Sequence, residues 1–139
     1  GKMVIPAQET TPESVEIQRY LAEMLKSGIK YAVIEASSHA LSQHRVEGVR
    51  FSSAIFTNLS VEHLDYHANI QNYRAEKLKL VKGLDTEAFA ILNADHNASK
   101  HFAECTRAQV VWYGIKKKNA DVTAETIQID VDKTRFLLH

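Results

Sequence analysis

Short β-rich runs alternate with segments of helical period along most of this chain. That alternation limits it to an α/β fold built on a mainly parallel sheet. The runs are Tyr31-Ala32-Val33-Ile34, Ser53-Ala54-Ile55-Phe56-Thr57, Ala88-Phe89-Ala90-Ile91-Leu92 and Val110-Val111-Trp112-Tyr113. Each has the length of a strand, and the first has the unbroken apolar character of a fully buried one. Before the first run, Thr11 stands as an N-cap and Pro12 at the first position of a helix. Val15, Leu21, Ala22 and Leu25 recur at helical spacing, and Gly28 closes the segment. A second helix is predicted from Ile70 to Lys82, carrying Tyr73, Lys77, Leu80 and Val81. A third runs to about Cys105, capped from Asn93-Ala94-Asp95. Alternation from Val122 to Leu138 predicts a hairpin turning near Asp132-Lys133. The expectation is one α/β domain over residues 1–139, a mainly parallel sheet flanked by helices with a C-terminal antiparallel hairpin.

Charge and cysteine usage narrow the function. Seventeen basic residues balance seventeen acidic ones, which argues against a nucleic-acid or anionic-membrane surface as the main partner. A lone cysteine, Cys105, excludes an internal disulfide framework and fits a reducing cytoplasm. It reads as a small apolar residue on a helix. No apolar run approaches the ~20 residues a membrane span needs, and the first residues are not a secretory signal.

Polar residues follow the strand runs: Glu35 after the first, Asn58 and His63 after the second, Asn93 and Asp95 after the third. Ligands of open α/β sheets bind outside the carboxyl ends of strands, so these exits can converge on one site. The densest cluster is Glu62-His63-Leu64-Asp65-Tyr66-His67, with Lys77 downstream. Two histidines and two carboxylates can bind a metal or carry protons. Equally, they can form a polar loop and helix start, and the spacing matches no zinc pattern. Glu35-Ala36-Ser37-Ser38-His39 lacks the flanking glycines of a nucleophile elbow. A carboxylate beside small hydroxyl residues better suits a hard cation near phosphates. Gly1-Lys2 resembles the end of a phosphate-binding loop, but Met3 stands where Ser or Thr should follow and no glycine-rich stretch precedes it.

Three segments taken together resemble the Mur ligase family. Glu35-Ala36-Ser37-Ser38-His39-Ala40-Leu41-Ser42-Gln43-His44-Arg45 is similar to its Glu-Val-Ser-Ser-His-x-Leu-x-Gln-x-Arg stretch. Phe56-Thr57-Asn58-Leu59-Ser60-Val61-Glu62-His63-Leu64-Asp65-Tyr66-His67 is similar to Phe-Thr-Asn-Leu-x-x-Asp-His-Leu-Asp-Tyr-His, and Tyr73-Arg74-Ala75-Glu76-Lys77 to Tyr-x-x-Ala-Lys. Order and spacing resemble the members that add the third residue of the cell-wall stem peptide. Two departures stand out: Glu62 where the family usually has Asp, and Glu9 where some members have Asn.

The resemblance implies the central ATP-binding domain of such a ligase, a P-loop-type fold here lacking its P-loop. UDP-binding and amino-acid-binding domains would lie outside residues 1–139, leaving the piece inactive alone. It implies a cytoplasmic enzyme that uses ATP and Mg2+ to form an amide through an acyl phosphate. Its small-molecule substrates would be UDP-N-acetylmuramoyl-dipeptide and an amino acid. Glu35, His63 and Lys77 would ligate magnesium, with Lys77 carbamylated and catalytic. Thr10, Thr11, Ser37, Gln43 and Arg45 would bind the UDP-muramoyl peptide. An absent phosphate-loop segment would leave a sheet edge or apolar groove uncovered, favouring self-association. The alternatives are a folylpolyglutamate or cyanophycin synthetase-like ligase and a non-catalytic metal or partner-binding module.

Overall fold

The structure is a computed structural model that describes residues 4–6, 9–60 and 64–139. Ten elements follow in order: α1 (Ser14–Lys26), α2 (Ser38–Ser42), β1 (Ser53–Phe56), α3 (Leu64–His67), α4 (Ile70–Lys82), β2 (Phe89–Asn93), α5 (Ser99–Cys105), β3 (Gln109–Gly114), β4 (Val122–Ile129) and β5 (Thr134–Leu138). One sheet runs β1-β2-β3-β4-β5. The first three pairings are parallel, with Ala54 opposite Ala90 and Ala90 opposite Val110. β4 and β5 pair antiparallel, with a register shift between Glu125 and Gln128. The α/β fold and the terminal hairpin therefore stand as expected.

Alternation in β1 and β2 turns Ala54, Phe56, Ala90 and Leu92 to one face. There they meet Leu78 and Val81 of α4 and Phe102 of α5. Phe102 stacks on Phe56 with ring centroids 4.2 Å apart. A smaller core joins Ile17, Leu41 and Val46, and Phe51 and Leu80 pack against both. These two clusters seat α1 and α2 beside α4, which places the polar residues after the extended segment against the helices.

Tyr31-Ala32-Val33-Ile34 is not a strand. Tyr31 and Val33 are 88% and 98% exposed, while Ile34 and Ala36 pack on the smaller core. An extended segment becomes a strand only when a neighbour completes its hydrogen-bond ladder. Among the described residues no strand pairs with this one, and β1 ends the sheet order.

Two helix starts also differ from expectation. α1 begins at Ser14 with Glu13 as its N-cap, whose N–H donates to Glu16 Oε2 at 3.4 Å. Thr11 does not cap, because its hydroxyl is committed elsewhere. The buried residue of α1 is Ile17, whereas Val15 and Leu25 face solvent. At its other end, Gly28 adopts φ 73, and Gly28 N–H and Ile29 N–H donate to Leu25 and Met24 carbonyls, the paired bonds of a left-handed helix end. α5 starts at Ser99, without a side-chain cap from Asn93 or Asp95. Asp95 instead accepts the amides of Ile115, Lys116 and Lys117 at 2.7–3.0 Å.

Candidate functional site

Residues far apart in sequence meet around Thr11. This buried threonine donates Oγ1–H to the Glu35 carbonyl at 2.6 Å and accepts the Ser37 amide at 3.1 Å. Both hydroxyl functions of a buried threonine are thus satisfied. Ser37 is the N-cap of α2, its Oγ accepting the Ala40 amide at 3.1 Å and lying 3.4 Å from Thr11 Oγ1. Arg45 enters from beyond α2: Nη1 donates to the Thr11 carbonyl at 2.9 Å and Nε to Gln43 Oε1 at 2.8 Å. The same Nε lies 3.1 Å from Glu13 Oε1, and the Arg45 side chain is only 10% exposed. A planar guanidinium with fixed donors is suited to holding three segments in register. Gln43 continues the chain, its Nε2 donating to Tyr66 Oη at 3.4 Å.

Thr11, Ser37, Gln43 and Arg45 thus come together as one polar cluster. Thr10 is exposed next to it, and so is Glu35, whose backbone is part of the cluster. Lys77, on α4, is reached by a different route. Ser38 Oγ and His67 Nε2 share a buried hydrogen bond of 2.9 Å, the His67 ring lies 5.3 Å from that of Tyr73, and Lys77 Nζ sits 5.3 Å from the Tyr73 centroid. His63 and Glu62 lie outside the described residues. Among the described residues, no group of three or more His, Cys, Asp or Glu could hold a metal ion.

The exits of β1, β2 and β3 are tied together, whereas Glu35 follows no strand and so is not one of the strand exits expected from the sequence. Asn93 Nδ2 donates to the Thr57 carbonyl at 2.8 Å, and the Leu59 amide donates to His96 Nε2 at 3.2 Å. Tyr113 Oη donates to the Phe56 carbonyl at 3.2 Å. Burial, then the nearby Asp95 charge, holds the Tyr113 phenol above its usual range, so it remains a donor. Sequence reasoning marked His67 only as one member of the histidine and carboxylate cluster, and did not single out Ser38 or Tyr73 as site residues. One available signal was Tyr73 standing one helical turn before Lys77.

Residues 1–139 match the family described as Mur ligase middle domain, and the chain belongs to it. It is 46% identical over 141 residues to the UDP-N-acetylmuramoyl-L-alanyl-D-glutamate--2,6-diaminopimelate ligase of Halalkalibacterium halodurans, covering 99% of this chain and 29% of that protein. The ligase of the same name from Geobacillus thermodenitrificans is 41% identical over 144 residues, again with 99% and 29% covered. A solved structure of a ligase of that name superposes with a TM-score of 0.78 at 26% identity, over 92% of this chain and 27% of the other. The MurF ligase from Thermotoga maritima in complex with ADP shares the fold over 68% of this chain and 22% of its own, with a TM-score of 0.55 at 16% identity. The chain therefore spans less than a third of the length of these relatives. No described helix is long and apolar enough to cross a membrane.

Proposed function

We propose that this chain is the middle domain of a cytoplasmic, ATP-dependent amide ligase of peptidoglycan precursor synthesis. It would join 2,6-diaminopimelate, as third residue, to UDP-N-acetylmuramoyl-L-alanyl-D-glutamate. The observation that carries the reading is the polar cluster of Thr11, Ser37, Gln43 and Arg45. The names of the relatives supply the substrate and the amino acid.

Hydroxyls, an amide and a guanidinium suit the oxygens of a sugar, a pyrophosphate and a carboxylate. Thr10, Ser37, Gln43 and Arg45 contact the nucleotide-linked peptide, and Thr11 contributes from beneath through its backbone and the residues it orients. The substrate carboxylate attacks the γ-phosphorus of ATP and ADP departs, leaving an acyl phosphate. The amine of the amino acid then adds to the acyl carbon, and inorganic phosphate leaves as the amide forms.

An exposed carboxylate beside hydroxyl groups suits magnesium, which keeps much of its water and takes few protein ligands. Glu35, His63 and a carbamylated Lys77 would hold it. When bound, it neutralises charge on the transferring phosphoryl oxygens.

The binding step is testable on this chain. UDP-N-acetylmuramoyl-L-alanyl-D-glutamate titrated into it should shift the amide resonances of Ser37 and Arg45, weakly, and Arg45→Ala should abolish those shifts. No shift at millimolar ligand, or an equal response to a folyl-polyglutamate, would overturn the assignment. In the ligase, Lys77→Arg should not support turnover, because a guanidinium cannot be carbamylated in this way.

A further inference from the structure

Ser37 and Ser38 are neighbours that serve two different groups. Ser37 faces the Thr11 cluster, while Ser38 Oγ is 2.9 Å from His67 Nε2 in a buried contact. From His67, aromatic contacts lead to Lys77. The His67 and Tyr73 rings are 5.3 Å apart, and His39 and Tyr66 pack on His67 at 5.5 and 4.8 Å. Ser38, His67 and Tyr73 are all buried. Tyr73 and Lys77 are four residues apart on α4 and share a helix face, with Lys77 Nζ over the ring.

We infer that Ser38, His67 and Tyr73 are positioning residues that fix the Lys77 amine relative to the Thr11–Ser37–Arg45 cluster. The inference rests on the proposed function only for the chemistry assigned to Lys77; the positioning itself is a statement about geometry. A ring face attracts the lysine ammonium and limits where it can swing. That ring packs on His67, and a buried hydrogen bond ties His67 to Ser38 of α2. Because Ser38 adjoins Ser37, a shift of α2 moves both groups together. The reacting ends of substrate and lysine thereby share one reference point.

Lysine reactivity tests this independently of any turnover. Reductive methylation of the chain, read peptide by peptide by mass spectrometry, compares Lys77 with the exposed Lys82 on the same helix. Lys77 should react roughly three- to ten-fold more slowly, the range a ring-face contact supports. Tyr73→Phe keeps the ring and should keep that protection. Ser38→Ala, which removes the hydroxyl that meets His67, should release it, as should Tyr73→Leu. If Tyr73→Leu fails to fold, as judged by its thermal transition, Ser38→Ala decides alone. Equal labelling of Lys77 and Lys82 in the parent chain would overturn the inference, as would undiminished protection in Ser38→Ala. Labelling that responds as stated in a protein without ligation would support the positioning and remove only the ligase reading.

Discussion

Arg45 Nη1 reaches the main-chain carbonyl of Thr11 at 2.9 Å, across thirty-four residues of sequence. The guanidinium is nearly buried, yet it is met by a carbonyl, an amide oxygen and the Glu13 carboxylate. Arg45→Lys keeps the charge but cannot reproduce the planar fork. It should destabilise the chain by about 1–3 kcal/mol, the cost of leaving buried polar groups without partners. Gln43→Ala, at an exposed position, should cost less. Urea unfolding of both variants would rank them, and equal losses would contradict the assignment of Arg45 as the shared partner.

Core burial gives a second contrast. Phe102 is buried and stacked on Phe56, so Phe102→Ala should cost about 3–5 kcal/mol. Val15 is 79% exposed, and Val15→Ala should stay within about 0.5 kcal/mol. Thermal and urea transitions of the pair would check both.

The extended segment before Glu35 has no ladder partner among the described residues, which hydrogen exchange can read. Amides of Tyr31 and Val33 should exchange far faster than those of Leu92 and Val111, which lie within the paired strands β2 and β3. Val33→Thr should leave stability within about 0.5 kcal/mol. Strong protection at Val33 would mean that a partner strand covers it in solution.

Asp95 gathers three amides of the turn after β3, and those bonds, led by that of Lys116, lower its pKa below the ordinary 3.8. A Cβ at Gly114 would stand 3.3 Å from Asp95 Oδ1, a tight contact that the carboxylate would relieve by shifting a few tenths of an ångström. For a carboxylate with a depressed folded pKa, the contribution is complete above the unfolded value. It is lost as pH falls through the folded one. Protection of the Ile115, Lys116 and Lys117 amides should therefore hold down to about pH 4 and decline only below it. Asp95→Ala should remove that protection even at neutral pH.

Ala68 carries φ 64 between α3 and the Asn69 N-cap of α4. A side chain in the left-handed region costs roughly 1–2 kcal/mol, part of which glycine returns as unfolded-state entropy. Ala68→Gly should raise stability by about 0.5–1 kcal/mol, measured as an upward shift of the unfolding midpoint. A loss would show that the Ala68 methyl group makes a favourable contact.

Local signals in the sequence were read well where local physics decides. Ile70–Lys82 is helical over its whole predicted span, because Asn69 caps its start and its apolar positions recur at helical spacing. Thr11 misled because N-cap preference assumes a free hydroxyl, and this one is taken by Glu35 and Ser37, both more than twenty residues away. Tyr31 to Ile34 misled because composition reports what a segment can pair with, while strand formation needs the partner itself. Motif matching brought out Ser37, Gln43 and Arg45, which the fold does assemble. The route to Lys77 through Ser38, His67 and Tyr73 depends on how α3 turns into α4 against α2, and no spacing rule encodes that.

The tandem serines at the head of α2 carry a further consequence. Their hydroxyls are chemically the same, and only the order along the chain decides which one meets Thr11 and which meets His67. Threonine at Ser37 would keep a hydroxyl for Thr11, but at buried Ser38 it would add a methyl group to a closed site. Deleting either residue would put a single hydroxyl where two clients wait. A one-residue deletion here should be worse tolerated than most substitutions.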